Sequence, residues 1–428
     1  TSLARRLMDV WIAGAVFVVA YVLIALEPFD RTLIALIAGL SVIVLGVIDQ
    51  HEAFAAIDLN VIFLLAGMMV IAAILARTGL FDWIAVRSVR VSGGRPIRLL
   101  LILATVTAVL SAFLDNVTTV VLIVPVTIAV AQRLGVTPVP YLISGVLASN
   151  IGGTATLIGD PPNILIGSAA GLDFTAFLIH MAPVTVVIYA AFLALAYVLW
   201  RGQLEVPTER REAAVEATER ATITDRPLLI RGLAVSALVL IGFLVHQALN
   251  LEAATIALLG ATVLMLVGRI DPHEALAEVE WRTLFFFVGL FVLVEGVVHV
   301  GIIGGIADWL AQQTAGNETL ANIVLLWFSG VASAIVDNIP YTATAIPVVE
   351  RLIESGLPSD ALWWSLALGA CLGGNLTLVG AAANVVVANQ AAQAGHRIGF
   401  FEFMRYGAVV TAVSLAIATL YVWLRYLQ

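Results

Sequence analysis

Residues 111–128 read SAFLDNVTTVVLIVPVTI, and residues 333–348 read SAIVDNIPYTATAIPV. Each stretch is an apolar run interrupted by an Asp-Asn pair, at 115–116 in the first and, 222 positions later, at 337–338 in the second. A carboxyl group inside an apolar, membrane-embedded segment is costly unless it is paired, hydrated or protonated. Its presence at matching places therefore predicts a duplicated functional element.

A second pair of breaks follows the Asp-Asn pairs. Residues 148–167 read ASNIGGTATLIGDPPNILIG, and residues 373–386 read GGNLTLVGAAANVV. Their Gly-Gly pairs, the next glycine and the final asparagine coincide at an offset of 221. A third match is Ile-Asp-x-His-Glu-Ala, found at 48–53 and again at 270–275. Three motifs in register along both halves indicate an internal repeat.

The composition is that of a membrane protein. Of the 428 residues, 61% are apolar and 12% are charged, whereas a soluble domain is about 45–50% apolar. The apolar runs are long enough to cross hydrocarbon, which takes about 20 residues of helix. A lipid bilayer is therefore a predicted partner. The chain has no lysine and no basic block, so nucleic acid is not.

The chain is predicted to be an all-α integral membrane protein made of two inverted repeats. Each half has five crossings plus one segment that enters and returns, and because five is odd, the second half must lie upside down relative to the first. The last segment of the first half, 176–200, is predicted to be an uninterrupted span. The predicted units are a first repeat at 1–200 with a re-entrant hairpin at 97–132 and a broken helix at 139–170, a linker at 201–227, and a second repeat at 228–428 with a hairpin at 319–353 and a broken helix at 361–394.

The arginines predict the orientation in the membrane. All 21 basic residues are arginines, and with the N-terminus outside, 17 of them fall in loops on the cytoplasmic side. The opposite orientation reverses that count and breaks the positive-inside rule. Both termini are therefore predicted to lie on the outer side of the inner (plasma) membrane, and the linker at 201–227 on its cytoplasmic side.

The four breaks are predicted to meet near the middle of the bilayer in one polar chamber, because unwound backbone at that depth is tolerated only where it lines a cavity or packs in protein. An asparagine there could instead satisfy local backbone, and Asp115 and Asp337 could cap helices. Asp160 is unpaired in the repeat, since Ala381 stands at the matching position. The predicted substrate-binding residues are Asn116, Thr118, Thr119, Asn150, Thr154, Asn163, Asn338, Asn375, Thr377 and Asn384, and the predicted proton- or ion-coupling residues are Asp115, Asp160 and Asp337.

The chain has one cysteine, Cys371. A single thiol excludes an internal disulfide framework and a multi-thiolate metal cage within one chain. No cofactor and no permanent metal are predicted. Cys371 borders the second glycine-rich break, where it could contact substrate, although free cysteines are commonly just buried.

The four motif segments, with their spacing along the chain, resemble the ArsB/NhaD/P-protein branch of the ion transporter superfamily. The Gly-Asp-Pro-Pro-Asn sequence at 159–163 is similar to the arsenite-exporter and P-protein group, and differs from sodium/proton antiporters of the NhaD type. The resemblance implies an elevator-like motion, in which hairpins and broken helices move as one unit against the other spans. It leaves open a homodimer and a soluble ATPase subunit as partners.

The leading functional hypothesis is proton-coupled efflux of arsenite and antimonite by alternating access. Arsenite is an uncharged trihydroxy species at neutral pH, so amides, hydroxyls and backbone groups could hold it by hydrogen bonds. Sodium/proton antiport or anion transport within the same superfamily is the alternative. A remote alternative is an intramembrane aspartyl-type enzyme, which needs two carboxylates sharing one site. A passive channel fits titratable groups at broken helices less well than alternating access does.

Overall fold

The computed structural model describes residues 2–26, 28–204, 206, 207, 211, 223–314 and 317–428. In that part of the chain the regular secondary structure is entirely helical. Eight helices are long and apolar enough to cross a membrane, or nine if one sharply bent pair counts as a single span. The all-α membrane prediction is confirmed. Much of the predicted linker, 201–227, lies outside the described residues.

Several helices of the first half begin behind an aspartate. The side chains of Asp30, Asp49, Asp58, Asp115 and Asp173 each accept a backbone N–H of the helix that follows, which satisfies a donor that the helix start leaves free. The helices are α1 (Ser2–Leu26), α2 (Arg31–Val44), α3 (Gln50–Ala55), α4 (Leu59–Arg77), α5 (Leu80–Ser92), α6 (Pro96–Ser111), α7 (Asn116–Leu134), α8 (Val139–Gly153), α9 (Pro161–Ala170), α10 (Phe174–His180) and α11 (Ala182–Trp200).

The second half repeats much of this pattern. Both ends of α3, α4 and α5 recur 222 positions later in α14, α15 and α16, so the internal repeat read from the motifs extends to the helices. The helices of this half are α12 (Arg226–Val245), α13 (Ala253–Gly268), α14 (Pro272–Ala277), α15 (Trp281–His299), α16 (Ile302–Thr314), α17 (Glu318–Val336), α18 (Asn338–Glu354), α19 (Ser359–Gly373), α20 (Ala382–Gln393) and α21 (Phe400–Tyr426).

Four helices, α2, α4, α13 and α15, join the two halves and are called the scaffold helices below. Helix α2 packs along α15, and α4 packs along α13. A Cβ added at Gly67 would lie 2.7 Å from the carbonyl carbon of Ala257, and one added at Gly289 would lie 2.5 Å from that of Ala35. Small residues let helix backbones approach this closely within a membrane.

Each hairpin packs against broken-helix pieces of both halves. Within the halves, α6 packs on α8 and α17 packs on α19. Across them, α7 packs on α20 and α18 packs on α9. This arrangement brings together the hairpin tips, which are residues 112–115 (the first tip) and Asp337 (the second tip), and the non-helical breaks at 154–160 (the first gap) and 374–381 (the second gap).

The predicted uninterrupted span at 176–200 is wrong. Helix α10 ends at His180 and α11 begins at Ala182, while α9 and α10 are bent by 114° at the break between them. Gly171, with φ of +65°, ends α9, and the Asp173 side chain starts α10 by accepting the Ala176 N–H. These turn signals separate α9 from α10. The interruption within 176–200 lies at Met181, just before Pro183, which has no N–H with which to continue the hydrogen bonding of α10.

Candidate functional site

The buried carboxyl group of Asp160 joins the two residues that directly follow the hairpin tips. The Asn116 side-chain amide donates to Oδ1 of Asp160 at 3.1 Å. The Asn338 amide donates to both carboxylate oxygens of Asp160, at 3.2 and 3.3 Å. Asp160 is 0% exposed and lies at the end of the first gap. The first residue of α7 and the first residue of α18 therefore converge on one carboxyl group.

Asn150 connects this carboxylate to the second gap. Its Oδ1 accepts a hydrogen bond from Asn116 at 3.1 Å. Its Nδ2 donates to Oδ1 of Asn375 and of Asn384, both at 3.0 Å. These six side chains form a continuous set, called the amide network below: Asn116, Asn150, Asp160, Asn338, Asn375 and Asn384.

Asn163 and Asn384 brace the two gaps in the same way. The Asn163 amide donates to the Thr156 carbonyl at 2.8 Å, and the Asn384 amide donates to the Thr377 carbonyl at 2.9 Å. Local backbone satisfaction is thus one role of both residues. Their carbonyl oxygens face the interior, because Asn163 Oδ1 lies 3.3 Å from the Cys371 sulfur and Asn384 Oδ1 accepts from Asn150.

The other two predicted coupling carboxylates cap helices. Asp115 accepts the backbone N–H of Thr118 at 2.9 Å and also the Thr118 hydroxyl. Asp337 accepts the backbone N–H of Ile339 at 3.0 Å and pairs with Arg31, whose Nη1 lies 3.1 Å away. The structural reading of both residues therefore has direct support, and their coupling role stays a prediction.

Two of the predicted threonines donate hydrogen bonds to backbone carbonyls, and the hydroxyl of a third has no hydrogen-bond partner among the residues that the structure describes. The hydroxyl of Thr154 donates to the Asn150 carbonyl at 2.8 Å, and that of Thr377 donates to the Ala334 carbonyl. Within the described part of the chain, the buried Thr119 hydroxyl and Asn116 Oδ1 have no hydrogen-bond partner. Thr119 and Asn116 are therefore the members of the predicted set that have buried polar atoms without a partner.

Helix ends set the electrostatics around Asp160. The N-termini of α7, α9 and α18 begin at or beside the amide network, and a helix N-terminus carries a partial positive charge. In the described residues, the hydrogen-bond donors to this carboxylate are the amides of Asn116 and Asn338, with the Cys371 thiol beside it. No cluster of three His, Cys, Asp or Glu side chains in that part of the chain could hold a metal ion.

The site also uses serines that the sequence reading did not single out. Ser149 donates to the hydroxyl of Ser111 at 3.1 Å, and Ser333 donates to the Ala370 carbonyl at 2.6 Å. They fasten each hairpin to its neighbouring broken helix. Ser111 and Ser333 begin the repeated Ser-Ala-x-x-Asp-Asn motif, so their recurrence was the signal that could have found them.

Two cavities lie beside the broken helices at repeat-related places, and the side chains of the amide network do not line them. One, of about 450 Å³, is lined by Asn60, Ile164 and Ser168 among others. The other, of about 560 Å³, has Arg282, Val385 and Asn389 at the matching positions. Their charged and titratable linings differ: the first includes Asp173, His246 and Glu252, and the second includes Asp30, Arg31, Glu280 and Arg282.

Comparison with known proteins places the chain among transporters. The family model described as citrate transporter matches residues 21–369. An uncharacterized transporter of Mycobacterium tuberculosis is 45% identical over 97% of this chain and 98% of its own length. The human P protein is 36% identical over 96% of this chain and 59% of its own length. The relation to P proteins is therefore confirmed, whereas these relatives do not show a particular closeness to arsenite exporters.

A solved transporter shares the fold. The YdaH transporter of Alcanivorax borkumensis superposes with a TM-score of 0.60 at 17% identity, and the match covers 98% of both chains. With a family model that spans most of the sequence and relatives matched along nearly their whole length, the chain belongs to the citrate transporter family and is a multi-pass membrane transporter.

Proposed function

We propose that this secondary transporter is coupled to protons and that Asp160 carries the coupling proton. The observation behind the proposal is that one fully buried carboxyl group accepts hydrogen bonds from the amides that directly follow both hairpin tips. Protonation would remove its charge and convert one acceptor oxygen into a donor. The contacts of Asn116 and Asn338 would then weaken, so the proton state of Asp160 would bear directly on how firmly the tips are held.

We propose a small uncharged, hydroxyl-rich solute as the substrate, with arsenite and antimonite exported as the first candidates. Asp160 already occupies the place at which helix N-termini would attract an anion, and this disfavours a second negative charge. The free Thr119 hydroxyl and Asn116 Oδ1 suit a solute that both donates and accepts hydrogen bonds. A single thiol, Cys371, could add one sulfur contact.

We propose that transport proceeds by alternating access between inverted halves, with an elevator-like motion. The hairpins and broken helices interlock across the halves through α7 with α20 and α18 with α9, which supports their moving as one body. The scaffold helices cross at glycines that permit no added methyl group, which supports their staying fixed. The homodimer and the ATPase subunit stay predictions.

An organic anion such as citrate is the second candidate substrate. Besides the name of the family, the N-termini of α7, α9, α18 and α20 gather at the network, and helix N-termini favour anions. This candidate requires Asp160 to be neutral when the anion binds. The two-aspartate enzyme has less support, because the side chains of Asp115 and Asp337 cap different helices.

The test is transport by purified protein in liposomes under imposed proton or sodium gradients, with arsenite and citrate as alternative solutes. We expect a proton gradient to drive arsenite accumulation. Asp160→Asn should reduce the rate of proton-driven uptake at least tenfold, which corresponds to a rise of about 1.4 kcal/mol or more in the transport barrier. Asp49→Asn is the matched control, because Asp49 caps α3 outside the network. Accumulation driven by sodium alone would contradict proton coupling, and citrate transport without arsenite transport would favour the second candidate.

A further inference from the structure

The two hairpin tips, although related by the repeat, have different backbones. Four residues separate α6 from α7, whereas Asp337 alone separates α17 from α18. Asp115 has a relaxed extended backbone with φ of −61°. Asp337 has φ of +93°, a region that side-chain-bearing residues rarely occupy and that persists only where the surroundings hold it. The second tip is therefore strained and the first is not.

Contacts from the first half of the chain hold the strained tip. Nη1 of Arg31, at the start of α2, lies 3.1 Å from Oδ2 of Asp337. The hydroxyl of Tyr21, in α1, donates to the Pro340 carbonyl at 2.7 Å and contacts the Thr344 hydroxyl. The Arg31 guanidinium also lies 5.3 Å from the Phe286 ring centre, which fixes its direction towards the tip.

The sequence provides these contacts on one side only. At the repeat-related positions of Tyr21 and Arg31 stand Phe243 and Ala253. Neither phenylalanine nor alanine has a side-chain hydrogen-bonding group. The first tip therefore cannot be tied to α12 and α13 by the matching side chains, although Asp115 corresponds to Asp337.

We propose that Arg31 and Tyr21 form a releasable lock that holds the second hairpin tip against α1 and α2. Both are positioning residues, since they act through Asp337 and the start of α18. Arg31 lines the cavity of about 560 Å³, which gives its side chain room to move away from Asp337 when the ion pair opens. This inference rests on the alternating-access motion proposed above, but not on the substrate or the coupling ion.

Hydrogen–deuterium exchange of the purified full-length protein tests the lock without any substrate. We expect Arg31→Ala to raise the exchange rate of backbone amides at 337–342 at least fivefold, with Tyr21→Phe giving a smaller increase. Amides at 115–120, which span the end of the first tip and the start of α7, serve as the internal reference and should not change. Arg31→Lys should recover most of the protection, because it restores the charge.

Arg282→Ala is the matched control, because Arg282 lines the same cavity but pairs with Asp30. It should leave exchange at both tips unchanged. Equal exchange in the wild type and Arg31→Ala would overturn the lock, as would an equal increase at the two tips, which indicates general loosening. Failure to transport arsenite or citrate would contradict the proposed substrates and leave the exchange result standing.

Discussion

At the scale of single residues, Asn150 is the side chain on which the amide network depends. It accepts from Asn116 and donates to Asn375 and Asn384, so it joins the two halves of the chain. Replacing it with alanine leaves several buried polar groups without partners. Each such group costs about 1–3 kcal/mol, which is large against the total stability of a folded protein.

We therefore predict that Asn150→Ala lowers the unfolding midpoint in detergent and abolishes transport. Asn322→Ala is the control, because Asn322 is equally buried but bonds to Glu318 and Ser365 outside the network. It should lower stability while the protein that stays folded transports at the normal rate. Equal transport rates per folded molecule in both variants would show that Asn150 has only a structural role.

The role of Asp115 can be separated from that of Asp160 by choice of substitution. Asparagine caps helices about as well as aspartate, whereas alanine costs about 0.5–2 kcal/mol of stability at such a position. Because Asp115 accepts the Thr118 N–H, we expect Asp115→Asn to fold and transport normally and Asp115→Ala to be less stable. Thermal unfolding and proton-driven uptake measure the two effects. Loss of coupling in folded Asp115→Asn would instead assign a coupling proton to this residue.

At the scale of helices, the glycine motifs set how closely the hairpins approach the broken helices. A Cβ at Gly152 would lie 2.1 Å from the carbonyl oxygen of Ala108, and one at the repeat-related Gly373 would lie 2.3 Å from that of Gly330. Backbone atoms cannot give way as a flexible side chain can. The contact of α6 with α8, and of α17 with α19, therefore requires glycine.

We predict that Gly152→Ala destabilises the protein by about 1–3 kcal/mol or more, the usual range for overpacking a tight contact. Gly145→Ala, in the same helix, is the control, because a Cβ there would meet nothing within 4 Å. The unfolding midpoints of the two variants can be compared by heating each one and measuring the fraction of protein that stays monodisperse. An equal loss of stability in both variants would show that any alanine in α8 destabilises the protein, and that the close contact with α6 is not the cause.

At the scale of the whole molecule, the opposite orientation of the two halves can be tested with one pair of sites. Phe29 and Leu251 are repeat-related and both are exposed loop residues. Inverted halves place them on opposite sides of the membrane, and parallel halves place them on the same side. The only native thiol, Cys371, is buried, so the background of cysteine labelling should be low.

We predict that a membrane-impermeant thiol reagent labels Leu251→Cys in intact cells and labels Phe29→Cys only after the membrane is permeabilised. This outcome follows from the arginine distribution as well as from the inversion. Labelling of both sites in intact cells would contradict the inverted arrangement. Labelling of Phe29→Cys in intact cells and of Leu251→Cys only after permeabilisation would still support inverted halves, but with the opposite orientation of the protein in the membrane.

The sequence alone determined the helical membrane class, the repeat and the identity of all six network residues. These features are local or periodic, so they can be recognised without knowledge of distant contacts. A long apolar run indicates a membrane-spanning helix, and a polar interruption of such a run recurs at a fixed offset. Asn116, Asn338 and Asn384 were found in this way. The break between α10 and α11 was missed because its local signal is a single residue, Pro183 at the start of α11, in an otherwise apolar stretch.

Only the tertiary structure decided which of these residues touch. It showed that Asp160 lies between the two hairpins and that Asp115 and Asp337 cap the starts of α7 and α18. It also showed that Arg31 contacts Asp337, 306 positions away in the sequence. Such contacts depend on how helices cross, and the crossing is set by the summed packing of many small residues rather than by any single motif. A motif identifies the polar groups, but its spacing along the chain does not reveal which residue of the other half lies close to it.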